Sequence, residues 1–170
     1  MSFTPRLTAP SLDNPYYYSN LNPYYANGMG MPNCTAYAYG RAYEILGSAP
    51  NLYYGNAENW YPNTTAYPKG QTPQLGAIMC WGDGGSGHGH NAVVEEIVSN
   101  GVVLVSESAY QQWVFRTHTY SYPYSFTGYD FQGFIYIYEY DRYNHYNFLL
   151  FNRRKRKYGQ RNVHWYYERN

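Results

Sequence analysis

The clearest periodic segment of the chain is Cys34 to Leu46, CTAYAYGRAYEIL, in which Ala36, Tyr39, Tyr43 and Leu46 recur at helical spacing. Asn33 before it is a good N-cap, Gly47 after it is a C-terminal stop, and Pro50 follows. One helix is predicted over these residues, weakened at Gly40 by about 1 kcal/mol relative to alanine. From Leu75 onward the texture changes. LGAIMCW (75–81), NAVVEEIV (91–98), VVLVSES (102–108), WVFRTHT (113–119) and GFIYIYEY (133–140) read as strands, with Ser99-Asn100-Gly101 as a hairpin turn. A helix followed by a meander of about five strands predicts an α+β domain with an antiparallel sheet.

The remaining segments lack such periods. Residues 1–32 are rich in Pro, Asn, Gly and Tyr and contain two similar pieces, Asn14-Pro15-Tyr16-Tyr17 and Asn22-Pro23-Tyr24-Tyr25. Two copies do not make a repeat array, so this stretch is expected to be turns and a loop, packed on the domain by its tyrosines. Residues 48–74, with Pro62, Pro68, Pro73 and an isolated Trp60, are expected to be loop. The length of 170 residues suits one domain, 1–140, with an appendage at 141–170.

Composition changes this picture in two ways. Aromatic residues at 21% and charged residues at 14% invert the disorder signature. The 25 tyrosines supply rings that bury while their hydroxyls stay wet, which suits a core, a groove for sugars or peptides, or both. Net charge is +1, but residues 1–150 hold 5 Lys/Arg against 10 Asp/Glu and residues 151–170 hold 7 against 1. The run Arg153-Arg154-Lys155-Arg156-Lys157 is read first as a solvated tail, so nucleic acid is not an expected partner. The N-terminus MSFTPRLTAP has no apolar signal core, and no apolar run approaches the roughly 18 residues of a membrane span. The expectation is a protein made in a cytoplasm, outside the usual secretory route and without membrane insertion.

Candidate chemistry begins with Cys34. At the first turn of a helix, unpaired N–H groups and the dipole favour the reactive thiolate. Cys80, the other cysteine, lies mid-strand in an apolar run, where it should be inert. His88 and His90 end a Gly-rich segment directly before a strand, a place from which a ring can face a cleft and act as general base. A thiol and an imidazole make a nucleophilic pair when a third group orients the ring, and Glu107 near the end of the next strand is available. A zinc site from Cys34, Cys80, His88 and His90 is a competing reading, but a helix-start cysteine without a nearby partner is a poor ligand. The Gly-rich segment lacks the Gly-Lys-Ser/Thr ending of a phosphate loop.

Four motifs in order then resemble one family. Pro32-Asn33-Cys34-Thr35-Ala36-Tyr37-Ala38-Tyr39-Gly40-Arg41 is similar to the nucleophile segment of CHAP domains, the cysteine- and histidine-dependent amidohydrolases/peptidases. Gly89-His90-Asn91-Ala92-Val93-Val94-Glu95 resembles their histidine strand, and Val105-Ser106-Glu107-Ser108 their acidic strand. Pro73-Gln74-Leu75-Gly76-Ala77-Ile78 resembles the strand before the histidine, and the likeness covers roughly residues 14–140.

The resemblance implies a papain-like fold of NlpC/P60 type, with the cysteine helix packed on the sheet. It implies cleavage of an amide bond in bacterial peptidoglycan, usually by phage lysins or wall-remodelling enzymes. Cys34 would attack, His90 would move the proton and Glu107 would orient His90. The oxyanion would meet the Cys34 backbone N–H and a neighbour such as Asn33. Tyr37, Trp81, Tyr110 and Trp113 are the candidate substrate contacts. No cofactor or metal is expected, and the chain is expected to be a monomer acting on the wall after holin release or as a virion component. A non-catalytic wall-binding or virion structural protein is the alternative. Two departures stand out. Many members carry Asn two positions after the acid, where this chain has Ala109, and the Asp-rich calcium loop of some members is absent.

Strand pairing sets a condition on Glu107. A two-residue Asn100-Gly101 turn would pair positions summing to 201, which puts Glu107 four residues from His90 along the sheet, roughly 13 Å away. Either a bulge or wider turn shifts the register, or Gln111, opposite His90 in the unshifted register, holds the ring instead.

Overall fold

The computed structural model describes residues 3–85 and 87–138. Asn14 and Asn22 each cap a single helical turn, α1 (Pro15–Tyr18) and α2 (Pro23–Ala26), by accepting from the amide two residues on at 3.1 Å. Proline follows each cap, at the position where a missing N–H costs nothing. The two Asn-Pro-Tyr-Tyr pieces, expected as turns and loop, are one helix-start signature written twice.

The long helix α3 spans Cys34–Leu46, with Asn33 as its cap and Gly47 closing it in the left-handed region at φ 68°. Gly40 has a packing reason. A Cβ there would lie 2.6 Å from the Tyr17 ring and 2.8 Å from the Tyr16 carbonyl, so α1 can cross α3 only at a glycine. The stretch 48–74 carries more structure than expected: a 3₁₀ turn at Ala57–Asn59, the helical turn α4 (Trp60–Asn63) and the two-residue strand β1 (Lys69–Gly70).

The other strands are β2 (Ile78–Gly82), β3 (His90–Ser99), β4 (Val102–Glu107), β5 (Arg116–Ser121) and β6 (Asp130–Ile135). They form a six-stranded sheet in the order β1-β6-β2-β3-β4-β5, antiparallel throughout. The sixth member, β1, is an edge too short for a hydrophobic period to announce. Period-2 alternation splits the core between the two faces. Ile78, Cys80, Val93 and Ile135 pack under Ala38 and Ala42 of α3, while Met79, Trp81, Val94, Val105 and Phe134 face the opposite way, under Tyr124. The helix that begins with the cysteine thus lies on an antiparallel sheet, the α+β, papain-like arrangement expected. Among the described residues no helix is long and apolar enough to cross a membrane. The 141–170 appendage and its basic run lie outside the described residues.

Helix and sheet are also joined by buried charge. Glu95, fully buried, accepts from Arg41 Nε and Nη2, both at 2.9 Å, from Ser106 Oγ at 2.6 Å and from the Arg6 backbone N–H at 2.8 Å. Arg41 and Arg6 share a second carboxylate, Glu44, which also accepts from Tyr17 and Asn14. Removing one partner of such a pair leaves a charge buried without compensation. Glu95→Ala is therefore expected to cost about 3–5 kcal/mol of folding free energy, read as a lower urea midpoint. An unchanged midpoint would show that α3 is held by apolar contacts alone.

Candidate active site

Three element ends converge. Cys34 is the first residue of α3, His90 the first of β3 and Glu107 the last of β4. All three are buried, with Cys34 8% and His90 5% exposed, and Glu107 fully enclosed. His90 Nε2 meets Glu107 Oε2 at 2.6 Å, and His90 and Cys34 line the same cleft. With Nε2 committed to the carboxylate, Nδ1 is the nitrogen left to face the thiol.

The sheet register makes this contact possible. The pairing starts at Ser99↔Val102, which sums to 201, but β3 bulges twice, between Ile97 and Ser99 and between Val94 and Glu96. Each bulge takes up one extra β3 residue, so pairing ends at Val94↔Val105 and Val93↔Ser106. Glu107 then falls beside Ala92, one same-face step of about 7 Å from His90, within reach of a glutamate side chain. The tight-turn register is corrected accordingly. Gln111 lies beyond β4 in an exposed turn at φ 55°, with its amide on the Tyr110 hydroxyl, and does not approach His90.

Electrostatics follow from the burial. Burial pulls His90 toward neutrality, but hydrogen bonds and charge from Cys34 and Glu107 outweigh it and raise the ring to about 9. Burial likewise opposes ionisation of Glu107, but His90 and Arg116 hold its carboxyl below the usual range. Arg116 donates from Nε to Glu107 Oε1 at 2.7 Å, and the Tyr120 hydroxyl lies 3.4 Å from Oε2. Trp81 and Phe126 box the imidazole, with ring centroids 5.6 and 5.2 Å from it.

A cleft of about 820 Å³ opens over Cys34 and His90. Tyr110 and Trp113 line it, joined by Tyr24, Met29, Tyr54, Phe126 and Tyr129. Tyr37 and Trp81 do not. Both are fully buried, Tyr37 between Tyr17 and Phe115, and Trp81 behind His90 with its indole N–H on the Tyr124 carbonyl at 2.8 Å. As substrate contacts they are corrected to core residues. Asn33 lines the cleft, but its side chain is used locally, accepting from Thr35 and donating to the Met29 carbonyl at 2.9 Å. The first-turn amide of Cys34 has no carbonyl four residues back in its own helix, so it suits a developing oxyanion. The four residues of the competing zinc reading do not gather. Cys80 is sealed on the α3 face with its thiol pushed up by burial, and the His88 side chain is 80% exposed beside Glu58.

The sequence reading missed Arg116, Tyr24 and Phe126. Tyr24 was visible only as half of an Asn-Pro-Tyr-Tyr piece. Its hydroxyl donates to the Gly55 carbonyl at 2.8 Å and accepts from Gly55 N–H and the Trp60 indole, fixing the cleft wall that carries Tyr54.

The chain is similar to several known proteins. A Streptococcus mutans protein named as a hydrolase is 46% identical over 66 residues, 36% of this chain and 30% of the relative. The staphylococcal secretory antigen SsaA of Staphylococcus aureus is 38% identical over 91 residues, 51% of this chain and 33% of the relative. A Staphylococcus aureus autolysin is 38% identical over 80 residues, 46% of this chain and 28% of the relative. The chain thus spans about a third of the length of these curated relatives. A crystal structure of an N-acetylmuramoyl-L-alanine amidase from Staphylococcus aureus is similar at 29% identity and a TM-score of 0.45, over 54% of this chain and 28% of that one. The model of the CHAP domain matches residues 24–109, half of the chain and the segment that holds Cys34, His90 and Glu107, and the chain therefore belongs to the CHAP domain family.

Proposed function

We propose that this domain hydrolyses an amide bond of bacterial peptidoglycan by a thiol mechanism. The observation that carries the reading is the buried Glu107–His90 pair joined to a helix-start cysteine at the base of an open, aromatic cleft. The Cys34 thiolate attacks the carbonyl, and the oxyanion settles on the Cys34 backbone N–H. His90 gives its proton to the leaving amine as the C–N bond breaks. It then takes a proton from water, which releases the acyl group from sulfur and restores the thiol pair. Glu107 holds the ring and stabilises its charged form. The names hydrolase and autolysin borne by relatives support the wall as substrate. A non-catalytic wall-binding role gives no reason for the domain to bury a carboxylate against a histidine at the floor of its cleft.

Digestion of purified sacculi with mass analysis of the products tests the proposal and fixes the bond. New N-terminal alanine with free muramic acid means an amidase, while new glycine or diamino-acid termini mean an endopeptidase. Intact sacculi would sink the reading.

The pH dependence has a definite sign. The His90 ring is raised to about 9, so imidazolium persists below that value and is lost above it. Cleavage is expected to fall as pH rises through about 9, and the stability that the pair contributes, complete below the ordinary histidine range near 6.5, is lost over the same span. A kcat/KM profile flat to pH 10 would refute this.

A further inference from the structure

We propose that Arg116 is a positioning residue of this site, holding Glu107 so that one carboxylate oxygen is always free for His90. This rests on the hydrolase reading above. Glu107 and Arg116 are direct partners in the β4–β5 register, and the two carboxylate oxygens are divided between neighbours. Oε1 takes Arg116 Nε at 2.7 Å, and Oε2 takes His90 Nε2 at 2.6 Å. The guanidinium is fixed in turn, with its carbon 4.2 Å from the centre of the Trp113 ring, in the turn that follows β4. The Trp113 backbone carbonyl accepts from Ala109 N–H at 3.1 Å, so the residue standing where many family members have Asn helps to shape the perch of Arg116.

A chemical need explains the arrangement. Glu107 is fully buried, and a buried carboxylate with one titrating partner protonates when that partner becomes neutral. His90 is such a partner, because it gives up its proton in each turnover. Arginine does not titrate in the working range. Its charge keeps Glu107 ionised through the half of the cycle in which the ring is neutral, and its Nε stops the carboxylate from rotating away. The groups facing Glu107 are His90 from β3 and Arg116 and Tyr120 from β5, with Cys34 of α3 beyond His90 and His118 against the Tyr120 ring. Arg116 is the one among these whose charge is permanent.

The test uses the full chain with Arg116→Gln and Arg116→Lys, since the Arg116 side chain is 39% exposed at a sheet edge and its replacement should leave the fold intact. Two quantities are followed against pH: kcat/KM on sacculi, and Glu107 itself by carboxyl ¹³C NMR. In the wild type, the carboxylate is held below its ordinary range, so activity persists into acid. In Arg116→Gln the acid limb and the Glu107 titration are both expected to move up by about one unit or more. The loss in kcat/KM is then largest near pH 5, on the order of tenfold beyond that at neutral pH. Arg116→Lys, which keeps a charge but not the fork, should return the acid limb most of the way. A loss confined to KM with both titrations unmoved would make Arg116 a substrate contact and overturn the proposal. So would Arg116→Gln with the wild-type profile. Wild-type protein that leaves sacculi intact overturns the hydrolase reading and this proposal with it, whereas active wild type with an unmoved Glu107 overturns this proposal alone.

Discussion

Cys34→Ser and His90→Ala are each expected to lower sacculus cleavage by on the order of 10⁴-fold or more, because groups that act as a unit fail together. Serine at 34 keeps the size and position of the nucleophile, but a hydroxyl oxygen is a far weaker nucleophile than a thiol sulfur. Alanine at 90 removes the proposed base and leaves Glu107 with Arg116 and Tyr120. Cys80→Ser is the matched control. That side chain is sealed in the sheet under α3, so the change should cost stability through a buried hydroxyl while kcat at a permissive temperature stays near wild type. The measurement is dye release from labelled sacculi, with fold followed by circular dichroism. Full activity in Cys34→Ser would remove the thiol from the mechanism.

Glu107→Ala should be the next most severe change, on the order of 10²–10⁴-fold in kcat, with Gln111→Ala within about twofold of wild type. The carboxylate is the acceptor 2.6 Å from His90, and without it the ring loses that acceptor and Arg116 its partner. Gln111 has no comparable claim, because its amide bonds the neighbouring Tyr110 hydroxyl in an exposed turn. The pair of variants also reads the β3–β4 register in solution. A large loss confined to Gln111→Ala would mean that the chain adopts the unbulged pairing.

That register marks where the sequence was legible and where it was not. The helix Cys34–Leu46 was readable to the residue because both ends carry local chemistry, an Asn cap and a left-handed glycine. Four of the five predicted strands were readable by period to within three residues at their ends, while the last, predicted at 133–140, overlaps β6 (Asp130–Ile135) only at 133–135. Bulges leave no such mark. Glu95, beside one of them, reads in sequence as one of two adjacent surface glutamates, yet it is fully buried on Arg41 while Glu96 stays exposed. Cys34, His90 and Glu107 could be nominated from residue type and family pattern, but their meeting depends on two inserted residues that no hydrophobic period encodes. Arg116 was missed for a related reason. Its pairing with Glu107 is set by the turn over 108–115, where no Gly or Pro signature fixes the length. Tyr37 and Trp81 fail as surface contacts because an aromatic period does not say which face of an element is covered. Gly40 shows the converse, since its cost to the helix was visible but the tyrosine that requires it was not.

The unequal burial of the two sulfurs has a practical consequence. Cys34 lines an open cleft, while Cys80 has no exposed surface and a thiol pushed up by its apolar surroundings. In the native protein an electrophilic dye can reach one sulfur per chain, so the amplitude of fast labelling counts competent molecules in any preparation. The second sulfur becomes available only when the sheet parts from its helix. The slow phase of the same experiment is then a clock for opening of the fold, and one reagent reports both the concentration of working sites and the lifetime of the structure that holds them.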